Sequence, residues 1–295
     1  MNHLLIAQTL ADRADIPRNG LTDVASATGE QALVVQWVRD ALLDIQTNEE
    51  IKWDFLHNEF SKPLKPAKNL NAAVAVDKTG GLSGLPSTAH GFVTGDVVTV
   101  IGTDNYDGSH VVHEDTGANE IVITATYAAE TFSTGDQVFI KDYEYYVVNG
   151  VQSFDFSTFK YYKKSEGANW KTPLQYLPYD QFQEKAADYS DSSDPVYVTT
   201  TPKKSLRIWP APDDDFILVA DSFLKPQSMA VNGDIPILPE NFHMMIVWKA
   251  LIDYAGFEES SAIFKFAAIR YDAFYEQLVW QERYQRSDER IIRVE

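Results

Sequence analysis

The hydrophobic and polar positions near the N-terminus follow helical spacing in two short stretches. Residues 3–14 place apolar side chains three and four positions apart, and this pattern ends before Pro17. A second stretch covers residues 28–45, where Thr28 and Gln31 have the spacing of a capping box. In that motif each side chain bonds a backbone amide at the start of a helix. Both stretches therefore predict amphipathic helices.

The longest helical pattern occupies residues 237–280. Pro239 and Glu240 suit a first turn, because proline has no amide to leave unpaired there and a carboxylate favours the positive end of a helix. Gly256 interrupts the pattern, which predicts two consecutive core helices with a hinge at this glycine. Their expected apolar faces are Met245, Trp248, Leu251, Ile252 and Ala255, followed by Ile263, Phe266, Ala267, Tyr271, Phe274, Leu278 and Trp280.

Helical spacing disappears in the middle of the chain. The prolines of SKPLKPAKN (residues 61–69) break regular structure, and residues 71–150 alternate short strand-like runs with Gly, Asp, Asn and Thr turns. Within this region FVTGDVVTV (residues 92–100) matches FSTGDQVFI (residues 132–140). Thr-Gly-Asp supplies a tight turn, since glycine tolerates positive φ and Asp can bond its own backbone. The region predicts a small β-barrel with two similar hairpins.

A second β-rich region follows the first. Residues 194–200, 205–212 and 216–226 read as three strands, with the last two joined by a turn at Asp213–Asp215. We expect these strands to form an antiparallel meander. Residues 179–187 predict a short helix before them. The fold class is therefore α+β, with an α-helical bundle core, an antiparallel β meander and an inserted all-β barrel-like domain.

These patterns divide the chain into three parts. Residues 1–68 and 151–284 form the predicted core, and residues 69–150 form the inserted domain. Residues 285–295 hold apolar side chains among arginines, which is typical of a terminal segment that is either frayed or docked on a partner.

Composition and charge narrow the range of functions. The 295 residues contain 25 Lys and Arg against 43 Asp and Glu, a formal net charge of -18. This balance disfavours a groove that grips DNA by its phosphates, but it leaves open a wall past which DNA slides, because a negative surface repels phosphate. Residues 71–150 hold 11 acids and 2 bases, the densest negative part of the chain. No stretch approaches about 18 uninterrupted apolar residues, so the sequence predicts a soluble, cytosol-made product without a membrane partner.

Candidate chemistry is sparse. The absence of cysteine excludes disulfides and thiolate metal sites, and no nucleotide-binding, hydrolase or metalloprotease motif is present. Carboxylate pairs that cleave sugars carry no sequence signature and stay open. The sequence therefore predicts neither an enzyme, nor a cofactor, nor a metal site. The weaker patterns are a histidine pair at His110 and His113, a partial calcium-loop register at Thr103, Asn105, Asp107, Gly108 and Glu114, the Asp213–Asp215 cluster, and sugar-stacking aromatics at Trp170, Tyr176, Tyr179 and Phe182.

The order of these features resembles a known family. Four features follow one another along the chain: an N-terminal helix, a second helix with the sequence GEQALVVQWVRDALLDIQ, a β-rich middle that ends in SLRIWPAPDDDFILVADSFLKP, and the closing helical stretch LPENFHMMIVWKALIDYAGFEESSAIFKFAAIRYDAFYEQL. Together they look like the head-to-tail adaptor, or connector, proteins of tailed bacteriophages, over residues 3–60 and 150–284. STAHGFVTGDVVTVIGT separately resembles the small β-barrel of ubiquitin-activating enzymes, which is often inserted in phage structural proteins. Adaptors usually lack this insert.

The resemblance implies a structural virion protein in the neck, made in the host cytoplasm. Its implied form is a ring, typically of twelve copies, below the portal protein, with a central DNA channel and a distal face for tail or nozzle proteins. We expect acidic side chains to face the channel. The C-terminal segment is the expected portal interface, and off-stripe aromatics are the expected contacts between subunits. The portal residues are Arg286, Arg290, Ile291, Ile292, Arg293 and Val294, and the subunit residues are Phe264, Trp280 and Tyr284.

Two other classes of function remain open on sequence alone. One is a tail or receptor-binding protein whose acidic β domain meets a host glycan, and the other is a monomeric enzyme. A glycan array and a hydrolase assay on host polysaccharide separate the first class from an adaptor, which should be silent in both.

Overall fold

The computed structural model describes residues 1–17, 21–47, 52–144, 150–186 and 192–291, with side chains as far as Glu282. Over these residues the chain forms five α-helices and two short 3-10 helices. The α-helices are α1 (His3–Arg13), α2 (Glu30–Gln46), α3 (Tyr179–Lys185), α4 (His243–Phe257) and α5 (Ser261–Ile291), and the 3-10 helices are Asp54–Leu56 and Glu240–Phe242. The strands are β1 (His57–Leu64), β2 (Lys68–Asn69), β3 (Val76–Asp77), β4 (Ser83–Pro86), β5 (Val97–Ile101), β6 (Gly108–Val111), β7 (Glu120–Ile123), β8 (Gln137–Ile140), β9 (Tyr143–Glu144), β10 (Val151–Phe154), β11 (Lys160–Lys163), β12 (Thr172–Pro173), β13 (Gln175–Tyr176), β14 (Tyr197–Thr200), β15 (Ser205–Trp209) and β16 (Phe216–Leu224).

The chain divides into two compact units. Met1–His57 together with Lys225–Glu295 form the helical unit, and Asn58–Leu224 form the β unit. The chain therefore leaves the helical unit once, builds the β unit, and returns. This mixed composition confirms the predicted α+β class. The predicted boundaries at residues 69 and 150 stay a prediction.

The helical unit is built around α4. This helix is apolar on most of its surface, so α1, α2 and α5 can each pack against it. The helix pattern at residues 3–14 is confirmed by α1, and the pattern at residues 28–45 is confirmed by α2. The buried residues of α4 are His243, Met245, Ile246, Val247, Trp248, Ala250, Leu251 and Ala255.

Two details at helix ends differ from the predictions. The capping box at Thr28 is wrong: Gly29 precedes α2 with a φ of 59°, and no side chain caps the helix. The predicted hinge at Gly256 is also displaced, because α4 continues to Phe257. Glu259 adopts a φ of 52°, and the amide of Ser260 donates to the carbonyl of Ala255 at 2.9 Å. This six-to-one bond across a left-handed residue is the Schellman motif, so local capping sets the break between α4 and α5.

The β unit contains four sheets within its described residues. Their strand orders are β1-β16-β11-β12 with β10 also paired to β16, β13-β14-β15-β9, β2-β8-β5-β6, and β3-β4-β7. Apolar side chains from all four sheets meet in one core, which includes Phe60, Leu85, Val98 and Leu206. The described strands form no closed barrel, so the predicted barrel is not confirmed.

The two matching Thr-Gly-Asp turns lie at opposite ends of one antiparallel strand pair. Each leads into a strand, and these strands, β5 and β8, pair antiparallel with Thr99 opposite Phe139. In the first turn Asp96 Oδ2 accepts from the amide of Val93 at 2.8 Å. In the second, Asp136 Oδ2 accepts from the amide of Ser133 at 2.7 Å. The predicted use of Asp in both turns is thus confirmed.

The predicted three-strand meander is correct for two of its strands. β14 and β15 pair antiparallel, with Val198 opposite Ile208. β16 instead pairs with β10 and β11 in another sheet. Pro210 and Pro212 follow β15, and neither has an amide to extend the ladder. The Asp213–Asp215 turn therefore carries the chain between sheets rather than closing a hairpin.

Residues 61–69 were predicted to lack regular structure, and this is wrong. β1 runs through Pro63 to Leu64, and β2 follows at Lys68. β1 lies at the end of its sheet order, where a missing amide can face away from the neighbouring strand. Phe60 and Leu64 are buried on one side of this strand, which explains why it forms.

Two buried histidines make the stability of the helical unit depend on pH. Burial lowers the pKa of His3 from its ordinary value of 6.5, and Arg39 adds to this, while Asp234 acts against it. Burial also lowers the pKa of His243. Between pH 6.5 and the lowered pKa of each folded-state histidine, the unfolded chain thus binds more protons than the folded chain, so the free energy of unfolding falls as pH drops through this range.

We expect a slope of up to about 1.4 kcal/mol per pH unit for each histidine in this window. Urea unfolding between pH 5 and pH 8 measures it, and H3L should reduce the slope. The exposed His57 supplies the control H57Q, which should keep the wild-type slope. An unchanged slope in H3L contradicts the assignment.

Candidate assembly surface

α5 packs on the rest of the helical unit through one face. Ala267 and Leu278 are fully buried on this face, and Tyr271 and Phe274 are partly buried beside them. Further along, Glu282 Oε2 accepts from the amide of Asp54 at 2.5 Å. This contact holds the C-terminal half of α5 against the segment that follows α2.

A second apolar stripe runs along another face of α5. Ala262, Phe266, Ile269, Ala273 and Trp280 follow steps of four, three, four and seven residues, which keeps them on one side of a helix. Phe266 is 50% exposed, Ile269 70% and Trp280 66%. Single exposed apolar residues are ordinary, but several on one side of a helix are a candidate interaction surface. Phe266 and Trp280 were both placed on the predicted core face, and that prediction is wrong for both.

A groove adjoins this stripe between α1, α4 and α5. It consists of two depressions of about 300 Å³ and 430 Å³ that share Arg13, Trp248 and Phe266. The Trp248 and Phe266 rings meet edge to face at 5.6 Å. The guanidinium of Arg13 lies 4.2 Å from the Trp248 ring, and that of Arg270 lies 5.7 Å from the Phe266 ring. We call this feature the arginine groove. The remaining residues that line it are Met244, Leu251, Ala262, Ile263 and Phe274.

α2 presents a mixed apolar and acidic face to solvent. Leu33 is 42% exposed and Leu43 is 45% exposed, and Asp40 lies between them on the same side of the helix. Asp44 borders this face, where its carboxylate contacts Lys249 Nζ at 3.0 Å. We call these residues the α2 outer face.

Lys249 joins α2 to α4 electrostatically. Besides Asp44, it contacts Asp253 Oδ1 at 3.3 Å. Burial raises the pKa of Asp253, and Lys249 opposes that rise. Burial also raises the pKa of Tyr271 to about 12. All of these groups lie inside the helical unit.

The predicted subunit contacts are not brought together by the fold. Phe264 is 46% exposed and Trp280 is 66% exposed. Sixteen residues of helix separate them by about 24 Å, and at about 100° per residue they point to different sides of α5. Tyr284 belongs to α5, but its side chain is outside the described residues.

The predicted portal contacts lie at and beyond the C-terminal end of the residues that the structure describes. The α5 backbone continues to Ile291, so Arg286, Arg290 and Ile291 occupy helical positions. Their side chains lie outside the described residues, as do Ile292, Arg293 and Val294 entirely.

The weaker sequence patterns are explained by local hydrogen bonds. Asp107 Oδ1 accepts from the amide and hydroxyl of Thr103, both at 2.8 Å. The amides of Asp104 and Asn105 donate to Glu130 at 2.6 and 2.9 Å, so this loop is closed by its own side chains. Among the described residues, no group of three His, Asp or Glu side chains is placed to hold a metal ion.

The histidine pair and the exposed aromatics are separate from the arginine groove in sequence. His110 Nε2 lies 2.8 Å from the carbonyl oxygen of Tyr106, and His113 Nδ1 lies 3.2 Å from Asp115. Trp170 is 71% exposed in the connection between β11 and β12. Tyr176 stacks on Phe156 with ring centroids 4.0 Å apart. Of the other two aromatics, Tyr179 is the first residue of α3 and Phe182 is buried there.

Sequence reasoning missed the arginine groove, although part of its signal was present. The spacing of Ala262, Phe266, Ile269 and Ala273 defines a second stripe as regular as the packed one. A helix with two apolar stripes gives no indication of which one faces the core. Arg13 and Trp248 are 235 positions apart, so their contact has no local signature.

Comparison with known proteins gives the chain its family. None of the helices in the described residues has the length and hydropathy needed to cross a bilayer. No curated protein matches the sequence. Residues 135–293, more than half of the chain, match the family described as SU10 adaptor protein. The matched residues include the β14–β15 hairpin, β16, α4 and α5. The chain therefore belongs to the SU10 adaptor protein family, a family of bacteriophage adaptor proteins.

Proposed function

We propose that this protein is the head-to-tail adaptor of a tailed bacteriophage, a structural and non-enzymatic part of the virion neck. It assembles as a ring, with twelve copies as the expected number, between the portal protein and tail or nozzle proteins. Family membership supports the adaptor role. The observation that carries the ring is the second apolar stripe of α5, because permanent assemblies bury large apolar surfaces.

The charge of the chain fits a DNA channel. A formal net charge of -18 repels phosphate, so DNA passing through the ring would slide rather than bind. We propose that acidic side chains line the channel, that DNA passes without sequence-specific contacts, and that no cofactor or metal takes part. Residues 69–150, the densest negative segment, form an inserted domain that projects outward or toward tail parts.

We further propose that residues 285–295 dock on the portal. Arginines alternate there with Ile291, Ile292 and Val294, a combination of charge and apolar surface that suits a docking segment. Phe264, Trp280 and Tyr284 stay our proposed subunit contacts. Docking on the portal can be tested without disturbing the packed face of α5, because the last contact described on that face is made by Glu282.

The expected result is loss of portal capture. Deletion of residues 285–295, or the length-preserving variant I291D/I292D/V294D, should weaken binding to purified portal at least about tenfold, equal to about 1.4 kcal/mol. A pull-down with a concentration series measures this. W170A removes an exposed tryptophan outside the segment and should bind as wild type. Undiminished capture of both tail variants would show that the portal contact lies elsewhere.

A further inference from the structure

The arginine groove and the α2 outer face are complementary in shape and in charge. The groove is a depression between helices with an apolar lining and two cationic side chains. The α2 outer face is a helical ridge with apolar and acidic side chains. We propose that the arginine groove of one copy of the chain binds the α2 outer face of a second copy. This proposal rests on the proposed ring and identifies the contact that would build it.

The two arginines of the groove have no ion-pair partner among the residues that the structure describes. Arg13 and Arg270 are both exposed, and the contacts described for them are with the Trp248 and Phe266 rings. Within the described part of the chain, no carboxylate forms an ion pair with either guanidinium. Arginine stacked on an aromatic ring keeps its donors directed outward and binds carboxylates well. The occupant should therefore carry carboxylates next to apolar side chains.

The α2 outer face meets that requirement. Leu33 and Leu43 are ten residues apart, about 15 Å along the helix, and Asp40 lies between them. Glu30 adds a second exposed carboxylate at the start of the same helix. A helix that lays leucines into an apolar groove, with charged residues at the rim, is a common mode of recognition. Phe266, which is 50% exposed and packs on the buried Trp248 ring, supplies an aromatic anchor of the kind that dominates such interfaces.

The occupant has to come from another copy. In its own chain α2 packs on α4 through the opposite face, with Val34, Val38 and Leu42 buried. Leu33 and Leu43 consequently point away from the core to which the groove residues belong. Because the groove and the α2 outer face are different surfaces, the contact is heterologous. Contacts of this kind generate a ring when the rotation between copies closes.

Charge reversal tests the contact from both sides. R13E/R270E and E30R/D40R should each weaken assembly at least tenfold, and their combination should recover assembly to within about threefold of wild type. Asp44 is left unchanged, because it pairs with Lys249 inside the fold. Native mass spectrometry over a concentration series, alone and with purified portal, measures the copy number. Thermal melting of each variant verifies that it folds.

A matched control separates this contact from a general effect of charge. K160E/K203E changes the net charge by the same amount as R13E/R270E, on exposed lysines of the β unit. We expect it to assemble as wild type. Equal loss of assembly in the control and in R13E/R270E overturns the proposal, as does a failure of the combined variant to recover.

The absence of cysteine permits a direct test of which surfaces meet. A chain carrying both L43C and A273C should form a ladder of covalent oligomers on oxidation. A mixture of the two single variants should stop at the dimer. A ladder that forms only with the portal present still supports the contact. Assembly without any cross-link, or cross-links to the portal instead of a second copy, overturns it.

The outcomes distinguish this proposal from the proposed function. Wild-type chains that do not bind the portal refute the adaptor assignment. Wild-type chains that bind the portal and assemble, while R13E/R270E assembles equally well, refute only the contact between the groove and α2. Wild-type chains that bind the portal singly refute both the contact and the ring.

Discussion

Replacing Trp53 with alanine is expected to lower the free energy of unfolding of the helical unit by about 4 kcal/mol. Trp53 is 1% exposed, and its ring stacks on Phe55 at 5.5 Å and meets Tyr275 edge to face at 6.1 Å. Its Nε1 donates to the carbonyl of Ile45 at 2.8 Å. The indole thus joins the end of α2 to α5, and its removal leaves both a cavity and a carbonyl without its donor.

Urea unfolding followed by circular dichroism at 222 nm measures this loss, because the long helices lie in the helical unit. W53F keeps an aromatic ring but loses the donor, so it should cost about 1–2 kcal/mol. W170A removes the same side chain from a position that is 71% exposed and should change the free energy by less than about 0.5 kcal/mol. Equal effects of W53A and W170A would contradict the assigned role of Trp53.

Replacing Tyr106 with alanine should have a similar effect on the β unit, about 4 kcal/mol. Tyr106 is fully buried against Phe132, with ring centroids 5.8 Å apart. Its hydroxyl donates to the carbonyl of Ala128 at 2.6 Å and accepts from the amide of Ala128 at 2.9 Å. One side chain therefore satisfies both backbone groups of a residue in the loop that follows β7.

Hydrogen exchange by mass spectrometry resolves this effect from the helical unit. Amides of β5 and β8 should exchange up to about a thousandfold faster in Y106A, since each 1.4 kcal/mol is tenfold in an opening equilibrium. Y106F loses only the two hydrogen bonds, and we expect an increase of about ten- to thirtyfold. Y162F, at a half-buried tyrosine of β11, is the matched control and should leave these amides unchanged. Wild-type exchange in Y106A would show that the loop is held by other contacts.

The helices could be predicted from sequence because their signal is local. The residues that form the packed face of α5 recur every three or four positions, so the pattern is visible without knowing what it packs against. The residue at which α4 ends was harder to predict. Gly256 is the obvious breaker, but the chain reverses at Glu259, where a non-glycine residue adopts positive φ. The glycine at position 256 suggested where the helix would break. The actual end of α4 is set by the Schellman hydrogen bond from Ser260 to Ala255, with Glu259 at positive φ.

The sheets were harder, because their pairing joins distant residues. Lys68 pairs with Val138 and Glu144 with Ser205, and nothing local specifies these partners. The repeated Thr-Gly-Asp turns are an exception, since similar sequences produced similar turns on adjacent strands. The arginine groove depends on the same kind of distant contact, between Arg13 and Trp248. Phe266 is exposed because of the rotational orientation in which α5 packs against α4. The sequence of α5 alone does not determine that orientation.

The division of the helical unit has a consequence for synthesis on the ribosome. α1 and α2 emerge first, yet α4, which covers their apolar faces, follows only after Lys225. At typical elongation rates of about 5–20 residues per second, the segment between α2 and α4 takes roughly ten to forty seconds to translate. During this interval Val34, Val38 and Leu42 lack their native partner. The nascent chain must therefore avoid aggregation through the exposed apolar faces of α1 and α2 while the whole β unit is translated.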